Sequence, residues 1–297
     1  GTTRPCELIT LAMGKLGGRE PNYHSDLDVV FVYEQEGSTQ PRGAGAGEDS
    51  TSNQHFFSEL GQRIIKYATR LGPHGRLYEV DTRLRPTGKS GALAVSLEGL
   101  QKYFDEGHGQ LWERQALCKA RPIGCSEAAG RRAMRVVHAA IQRPAWRDES
   151  AGEIRDMRRR LEETASPRNL KRGPGGTVDI EFIAQMWQLR RAADTPSVLV
   201  PGTLEALQQL HAVGCLGDDD YEFLSEAYRF LRSIEARLRL MNTTARHDIP
   251  DDDAELARLA YLLDYSGPTE LRRDCGRYTT DVRARFNRLF DAVYARG

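Results

Sequence analysis

Two aspartates one residue apart stand at the head of an apolar run, Ser25-Asp26-Leu27-Asp28-Val29-Val30-Phe31-Val32. The β-forming residues Val29 to Val32 read as a buried strand, with the carboxylates at its beginning. Residues i and i+2 of a strand share a face, so Asp26 and Asp28 converge on one point. Carboxylates aimed together repel unless a cation lies between them, and hard oxygen donors suit Mg²⁺ or Mn²⁺. The pattern points to an enzyme.

A chain of 297 residues can hold two modest domains and bury a real core. Basic and acidic residues balance at 42 each, which argues against a protein that coats nucleic acid and leaves room only for a local basic groove. Nothing approaches the ~20 apolar residues that span a bilayer, and no signal peptide is visible. The five cysteines (Cys6, Cys118, Cys125, Cys215, Cys275) form no C-x-x-C pair, as expected of reduced thiols in the cytoplasm. The start at Gly1-Thr2-Thr3, without Met, suggests a piece of something longer.

Leu8 to Met13 reads as a first strand, and Gly14-Lys15-Leu16-Gly17-Gly18 as a glycine turn after it. Residues 35–52 have almost nothing to bury and read as a mobile loop. A helix is predicted from Asn53 to Leu71, with Phe56, Phe57, Leu60, Ile64, Ile65 and Ala68 on its buried face. Alternation from Arg76 to Arg85 predicts a strand ended by Pro86. Ser96 is placed to cap a short helix through Tyr103, and another helix is predicted from Gln110 to Lys119, with Trp112 in the core. Beyond about residue 125 alternation gives way to helical spacing: Glu153–Thr164, Val178–Arg191, Asp218–Met241 and Thr269–Ala295. The expected organisation is α+β over 1–125 and an all-α helical bundle over 126–297. Asp179 and Glu181, two apart on a helix, point to different faces and read as acids at a helix start, not as shared metal ligands. A docking role for that segment, with Lys171 and Arg172 on phosphate, is the alternative.

The glycine turn is neither G-x-x-x-x-G-K-[ST] nor G-x-G-x-x-G, which excludes a P-loop and disfavours a dinucleotide fold. Taken with Asp-x-Asp on a buried strand and a further acidic strand, however, it resembles the polymerase β-like nucleotidyltransferase superfamily. That resemblance implies a mixed sheet with helices on one face, a glycine turn holding phosphates, and two divalent metals on three aspartates. The third would be Asp81, with Glu79 on the same face as the competing choice. His24, Lys15, Arg83 and Arg85 would neighbour a triphosphate.

Four blocks in order, GKLGGREPNYHSDLDVVFVYE, LYEVDTRLRPTGKSGALAVS, WERQALCKARPIG and GPGGTVDIEF, resemble the bacterial glutamine synthetase adenylyltransferase family. The family's enzyme is similar to two tandem copies of this unit, one adding AMP to a tyrosine of glutamine synthetase and the other removing it by phosphorolysis. Leu27, Glu79 and Asp179-Ile180-Glu181-Phe182 side with the adenylylating half. The resemblance implies ATP as substrate, Mg²⁺ or Mn²⁺ on Asp26, Asp28 and Asp81, and nucleotide contacts from Gly14, Lys15, Gly17, Gly18, Ser25, Arg83 and Arg85. It implies glutamine synthetase as partner and the PII signalling protein as a second one, with no nucleic acid and no membrane. The alternatives are phosphorolytic removal of AMP, another nucleotidyltransferase, and a non-catalytic copy that binds nucleotide or PII.

Overall fold

The computed structural model describes residues 5–40, 50–73, 75–76, 78–242 and 246–294. Two compact units divide the chain: Gly1–Pro21 with Ser25–Pro144, and Asn22–His24 with Ala145–Gly297.

The first unit is built on a five-stranded mixed sheet. Strand β1 (Leu8–Ala12) leads through a single helical turn, α1 (Gly14–Gly17), to β2 (Leu27–Tyr33), and the two strands pair antiparallel with Leu8 opposite Tyr33. Helix α2 (Asn53–Ala68) and a hairpin of β3 (Leu71–Gly72) and β4 (Gly75–Arg76) follow. Strand β5 (Val80–Asp81) then joins the beginning of β2 in parallel, and β6 (Ala94–Ser96) joins the same edge further along. Helices α3 (Leu97–Asp105) and α4 (Leu111–Leu117), strand β7 (Arg121–Ile123) beside β1, and helix α5 (Glu127–Gln142) complete the unit.

Strand β2 is central because both of its faces are apolar. Val29, Phe31 and Tyr33 pack with Phe57 of α2 and Ala94, and the Tyr33 and Phe57 rings stack at 5.2 Å. On the other face Val30 and Leu11 meet Leu100 and Phe104 of α3 and Leu117 of α4. The helices therefore cover both faces, which corrects the expectation of one: a strand without polar alternation must be covered twice. Helix α2 is rotated from its expected seat, with Phe57 and Gly61 buried and Phe56 and Ile64 exposed. Of the expected loop at 35–52, residues 41–49 lie outside the described residues; its ends are joined by a Ser38–Ser52 bridge and a 2.8 Å bond from Thr39 N–H to the Thr51 carbonyl. Ser96 caps α3 as expected, its Oγ accepting from Gly99 N–H at 2.9 Å. Trp112, expected in the core, is exposed and donates to Gln110 Oε1 at 2.8 Å. Helix α5 also belongs to this unit: its buried small residues Ala129, Gly130 and Ala133 let it lie against β7 and β1. The division expected at 125/126 thus falls at 144/145.

The second unit is all helical: α6 (Glu149–Glu163), α7 (Thr177–Arg191), α8 (Thr203–Ala212), α9 (Asp218–Met241), α10 (Asp253–Leu262) and α11 (Pro268–Tyr294). Helix α7 touches α6, α8, α9 and α11 and is buried on nearly every side, its polar Asp179, Gln185 and Gln188 included. The stripes Leu224, Tyr228, Leu231, Ile234, Leu238 on α9 and Tyr278, Val282, Phe286, Phe290, Val293 on α11 are buried as their spacing predicts. Ala295, the expected end of the last helix, lies outside the described residues. No described helix is long and apolar enough to cross a membrane.

Asp179 acts at the start of α7. Its Oδ2 accepts from Gly175 N–H at 2.8 Å, and its carboxylate also binds the Arg158 and Arg283 guanidinium groups. Gly175 has a left-handed φ of +71°, and a Cβ there would lie 1.7 Å from the Thr279 carbonyl of α11, so only glycine permits this approach. Lys171 and Arg172 donate backbone N–H groups to Asn169 Oδ1 at 3.1 and 2.8 Å, a turn contact.

His247 lies beside Glu235, with Arg239 and Lys171 nearby, and burial pulls its imidazole below the ordinary value of 6.5 against the opposing pull of Glu235. The unfolded chain therefore holds this proton more tightly than the folded one. Stability from His247 is intact above the unfolded value and is lost as pH falls through the lower folded value. Urea midpoints should drop on acidification, and by less in His247→Gln; equal drops would assign the loss to other groups.

Candidate active site

The aspartates are set by how β2 begins. Asp26 is exposed just before the strand, and Asp28 is its half-buried second residue. Parallel pairing with β5 puts Leu27 opposite Val80 and Asp28 opposite Asp81, so two carboxylates stand side by side on adjacent strands. Asp26 lies two residues earlier, just outside the strand, and lines the same opening as Asp81.

Strand β5 is far shorter than the strand predicted from Arg76 to Arg85, of which Leu77 lies outside the described residues. Asp81 itself ends it. Its Oδ1 accepts the Arg83 backbone N–H at 2.8 Å, turning the chain as an Asx turn does. The same geometry separates Asp81 from Glu79. Glu79 turns its carboxylate to Arg76 Nη1 at 2.5 Å and uses its carbonyl to accept Leu27 N–H at 2.8 Å, while Asp81 takes the position in register with Asp28.

The glycine turn touches the aspartate strand directly. Met13 N–H donates to the Asp28 carbonyl at 2.8 Å. Gly14 has φ +49°, and a Cβ on it would fall 2.4 Å from Asp28 Oδ2. Glycine is thus required here for both its backbone angle and its bareness. Gly17 is tighter still, with a Cβ position 1.8 Å from the Lys119 carbonyl. Backbone cannot yield as a side chain does, so Gly17→Ala should destabilise the first unit by about 1–3 kcal/mol or more, read from its urea midpoint. An unchanged midpoint would mean that α1 can move off β7. Gly18 closes α1 with an ordinary right-handed φ of −69°. Lys15 lies within α1, and Ser25 just before Asp26.

Three residues that sequence reading passed over support this turn. Arg121 of β7 donates Nε–H to the Gly17 carbonyl at 3.0 Å and Nη2–H to the Leu16 carbonyl at 2.9 Å. Lys119 and Glu20 form a largely buried pair at 2.9 Å. The block WERQALCKARPIG held the signal, since one basic residue precedes and another opens the short strand that borders β1.

A cleft of about 550 Å³ opens beside β5, with Asp26, Glu79 and Asp81 against Arg83, Arg85 and Lys89. The two expected arginines play different parts. Arg85 is buried and donates Nη1–H to Thr82 O and Oγ1 at 2.8 and 3.0 Å, with longer bonds to the Lys89 and Gly91 carbonyls. It fastens the loop. Arg83 is exposed and forks onto Asp81, with Nε–H donating to Oδ2 at 2.7 Å and Nη2 beside the same oxygen. This bond holds the Asp81 carboxyl below the usual carboxylate range against the effect of burial. The Arg83 guanidinium is pushed up mainly by Asp81, with Asp28 and Asp26 adding attraction in the same direction.

Arg83 is thus bonded to Asp81 and attracted more weakly by Asp28 and Asp26. Among the described residues no three acidic, His or Cys side chains are drawn close enough to hold a metal in this conformation. The donors are of the type that suits Mg²⁺ or Mn²⁺: hard carboxylate oxygens at the beginning of two adjacent strands, one of them now neutralised by the exposed Arg83. Burial pushes the Cys118 and Cys275 thiols up to about 12, so neither is a thiolate nucleophile at neutral pH.

Residues 1–136 match the family model described as glutamate-ammonia ligase adenylyltransferase, and residues 149–290 match that described as GlnD PII-uridylyltransferase. The bifunctional glutamine synthetase adenylyltransferase/adenylyl-removing enzyme of Thioalkalivibrio sulfidiphilus is 34% identical over 293 residues. That alignment takes in 97% of this chain and 30% of the relative, so the chain spans about a third of the length of the protein it matches.

Proposed function

Since this chain belongs to the glutamate-ammonia ligase adenylyltransferase family, we propose that it transfers AMP from ATP to a tyrosine hydroxyl of glutamine synthetase. The observation that carries this reading is the register of Asp28 with Asp81, with Asp26 at the strand's beginning and basic side chains across the cleft. In-line attack of the tyrosine oxygen on the α-phosphorus forms one P–O bond and releases pyrophosphate. No side-chain nucleophile is needed, and positioning and charge neutralisation supply most of the rate.

Asp26, Asp28 and Asp81 would hold Mg²⁺ or Mn²⁺, which when bound supplies charge neutralisation at the triphosphate and eases ionisation of a hydroxyl whose free pKa is near 10. Arg83 guards the carboxylates until then, and its planar fork exchanges Asp81 for phosphate oxygens. Arg85 keeps the loop from Thr82 to Gly91 in shape, so that Arg83 and Lys89 stay beside the cleft. Gly14, with no side chain, leaves Asp28 its place. Lys15, Gly17, Gly18 and Ser25 belong to the same turn and strand beginning and are assigned to the nucleotide.

Leu27, Glu79 and Asp179-Ile180-Glu181-Phe182 support the adding direction over phosphorolytic removal. The PII signalling protein is the second partner in this reading, and the cytoplasm its setting. The test uses purified glutamine synthetase in both states. With unmodified enzyme and α-labelled ATP, label should pass to protein; with adenylylated enzyme and phosphate, ADP should not form. The reverse pattern would assign removal, and neither product would leave a binding copy.

A further inference from the structure

Among the described residues of the first unit, the large apolar side chains left exposed are Phe56, Ile64, Tyr67, Leu71, Tyr78 and Trp112. Five of these six fall between Phe56 and Tyr78, so they are not the scattered singles of an ordinary surface. Phe56, Ile64, Tyr67 and Leu71 recur at helical spacing and form one stripe along α2 and just past its end. The stripe is not core, because α2 turns Phe57 and Gly61, not these residues, towards β2. Tyr67 and Leu71 are 76% and 70% exposed.

One border of the stripe turns basic after Glu59, which pairs with His55 at 3.5 Å. Arg63, Lys66 and Arg70 are all exposed and follow its edge at i, i+3 and i+7. The chain then turns through the β3–β4 hairpin to Tyr78, next to Glu79, which lines the cleft. The stripe thus leads along the chain to the segment that carries Asp81.

We propose that this stripe docks an acidic amphipathic segment of the protein that presents the acceptor hydroxyl. The inference rests on the AMP-transfer reading and adds to it the surface that selects the acceptor. Apolar residues of the segment would cover Tyr67 and Leu71, and its carboxylates would meet Arg63, Lys66 and Arg70. A second copy of this chain fits less well, because like-to-like contact would oppose the three basic residues to themselves.

The test compares wild type with Tyr67→Ser/Leu71→Ser and with Lys66→Glu/Arg70→Glu, in the full chain and with glutamine synthetase as acceptor. None of the four residues lies in the cleft, and all are exposed, so the fold and ATP binding should stay unchanged. KM for the acceptor should rise ~10-fold or more in each variant, with kcat and ATP affinity retained. The charge-reversed variant should also lose the salt dependence of that KM. An unchanged KM would overturn the docking surface. So would variants whose main effect is lost self-association, or lost binding to anionic phosphatidylserine vesicles with KM intact. If wild type transfers no AMP, the functional reading has failed by itself; equilibrium binding of unmodified glutamine synthetase to wild type and variants then still decides the surface.

Discussion

Asp28→Asn should lower the turnover of AMP transfer to glutamine synthetase by ~10³-fold or more, the scale of one lost transition-state electrostatic contact. The change is isosteric, which matters because Asp28 Oδ2 lies against Gly14 and tolerates no larger group. It removes charge and leaves shape, so the urea midpoint and circular dichroism of the variant should match wild type. Asp26→Asn should act in the same direction from the exposed end of the pair. If the two carboxylates act as a unit on the same metal centre, the double variant should lose far less than the product of the single losses. Labelled-AMP transfer measured at saturating ATP settles this. Near-normal kcat in both single variants would remove these aspartates from the chemistry.

The second large effect concerns stability. Asp179→Ala should destabilise the helical unit by about 3–5 kcal/mol. Asp179 is 0% and Arg158 1% exposed, so the substitution strands a guanidinium out of water with Gly173 O, at 2.8 Å, and Glu162 as its remaining partners. It also removes the acceptor for Gly175 N–H at the start of α7. Truncating one member of a buried pair costs more than the pair contributes, so Arg158→Met in the same chain should recover part of the loss. Urea unfolding of wild type, both single variants and the double variant gives the cycle. A loss under ~1 kcal/mol for Asp179→Ala would mean that water reaches Arg158.

The aspartate strand and the long helices were legible because a single periodicity governs each. Asp218–Met241 is the expected span, and its expected stripe is buried from Leu224 to Leu238, with Tyr221 and Met241 half-exposed at its ends. The fate of residues 76–85 was not legible. Their alternation is real, but the Asp81 side chain captures the Arg83 N–H and stops the ladder after two residues, a local competition that hydrophobic pattern does not register. Helix α2 misled for the opposite reason. Apolar spacing identifies an amphipathic face without saying what covers it, and here part of that face is left to solvent. Residues that hold the glycine turn from β7, Arg121 above all, lie about a hundred positions away in the chain and are joined to it only by the sheet. Within the site, Asp81 as the third acid was implied by the resemblance, with Glu79 as its rival, but nothing pointed to the guanidinium bonded to it.

Manganese titration, followed by electron paramagnetic resonance with a non-hydrolysable ATP analogue present, tests the metal site most directly. Wild type should remove free Mn²⁺ signal in a saturable manner that depends on the analogue, and Asp28→Asn should abolish that uptake while keeping its fold. Equal uptake by wild type and Asp28→Asn would contradict a site in which Asp26, Asp28 and Asp81 together hold divalent cations.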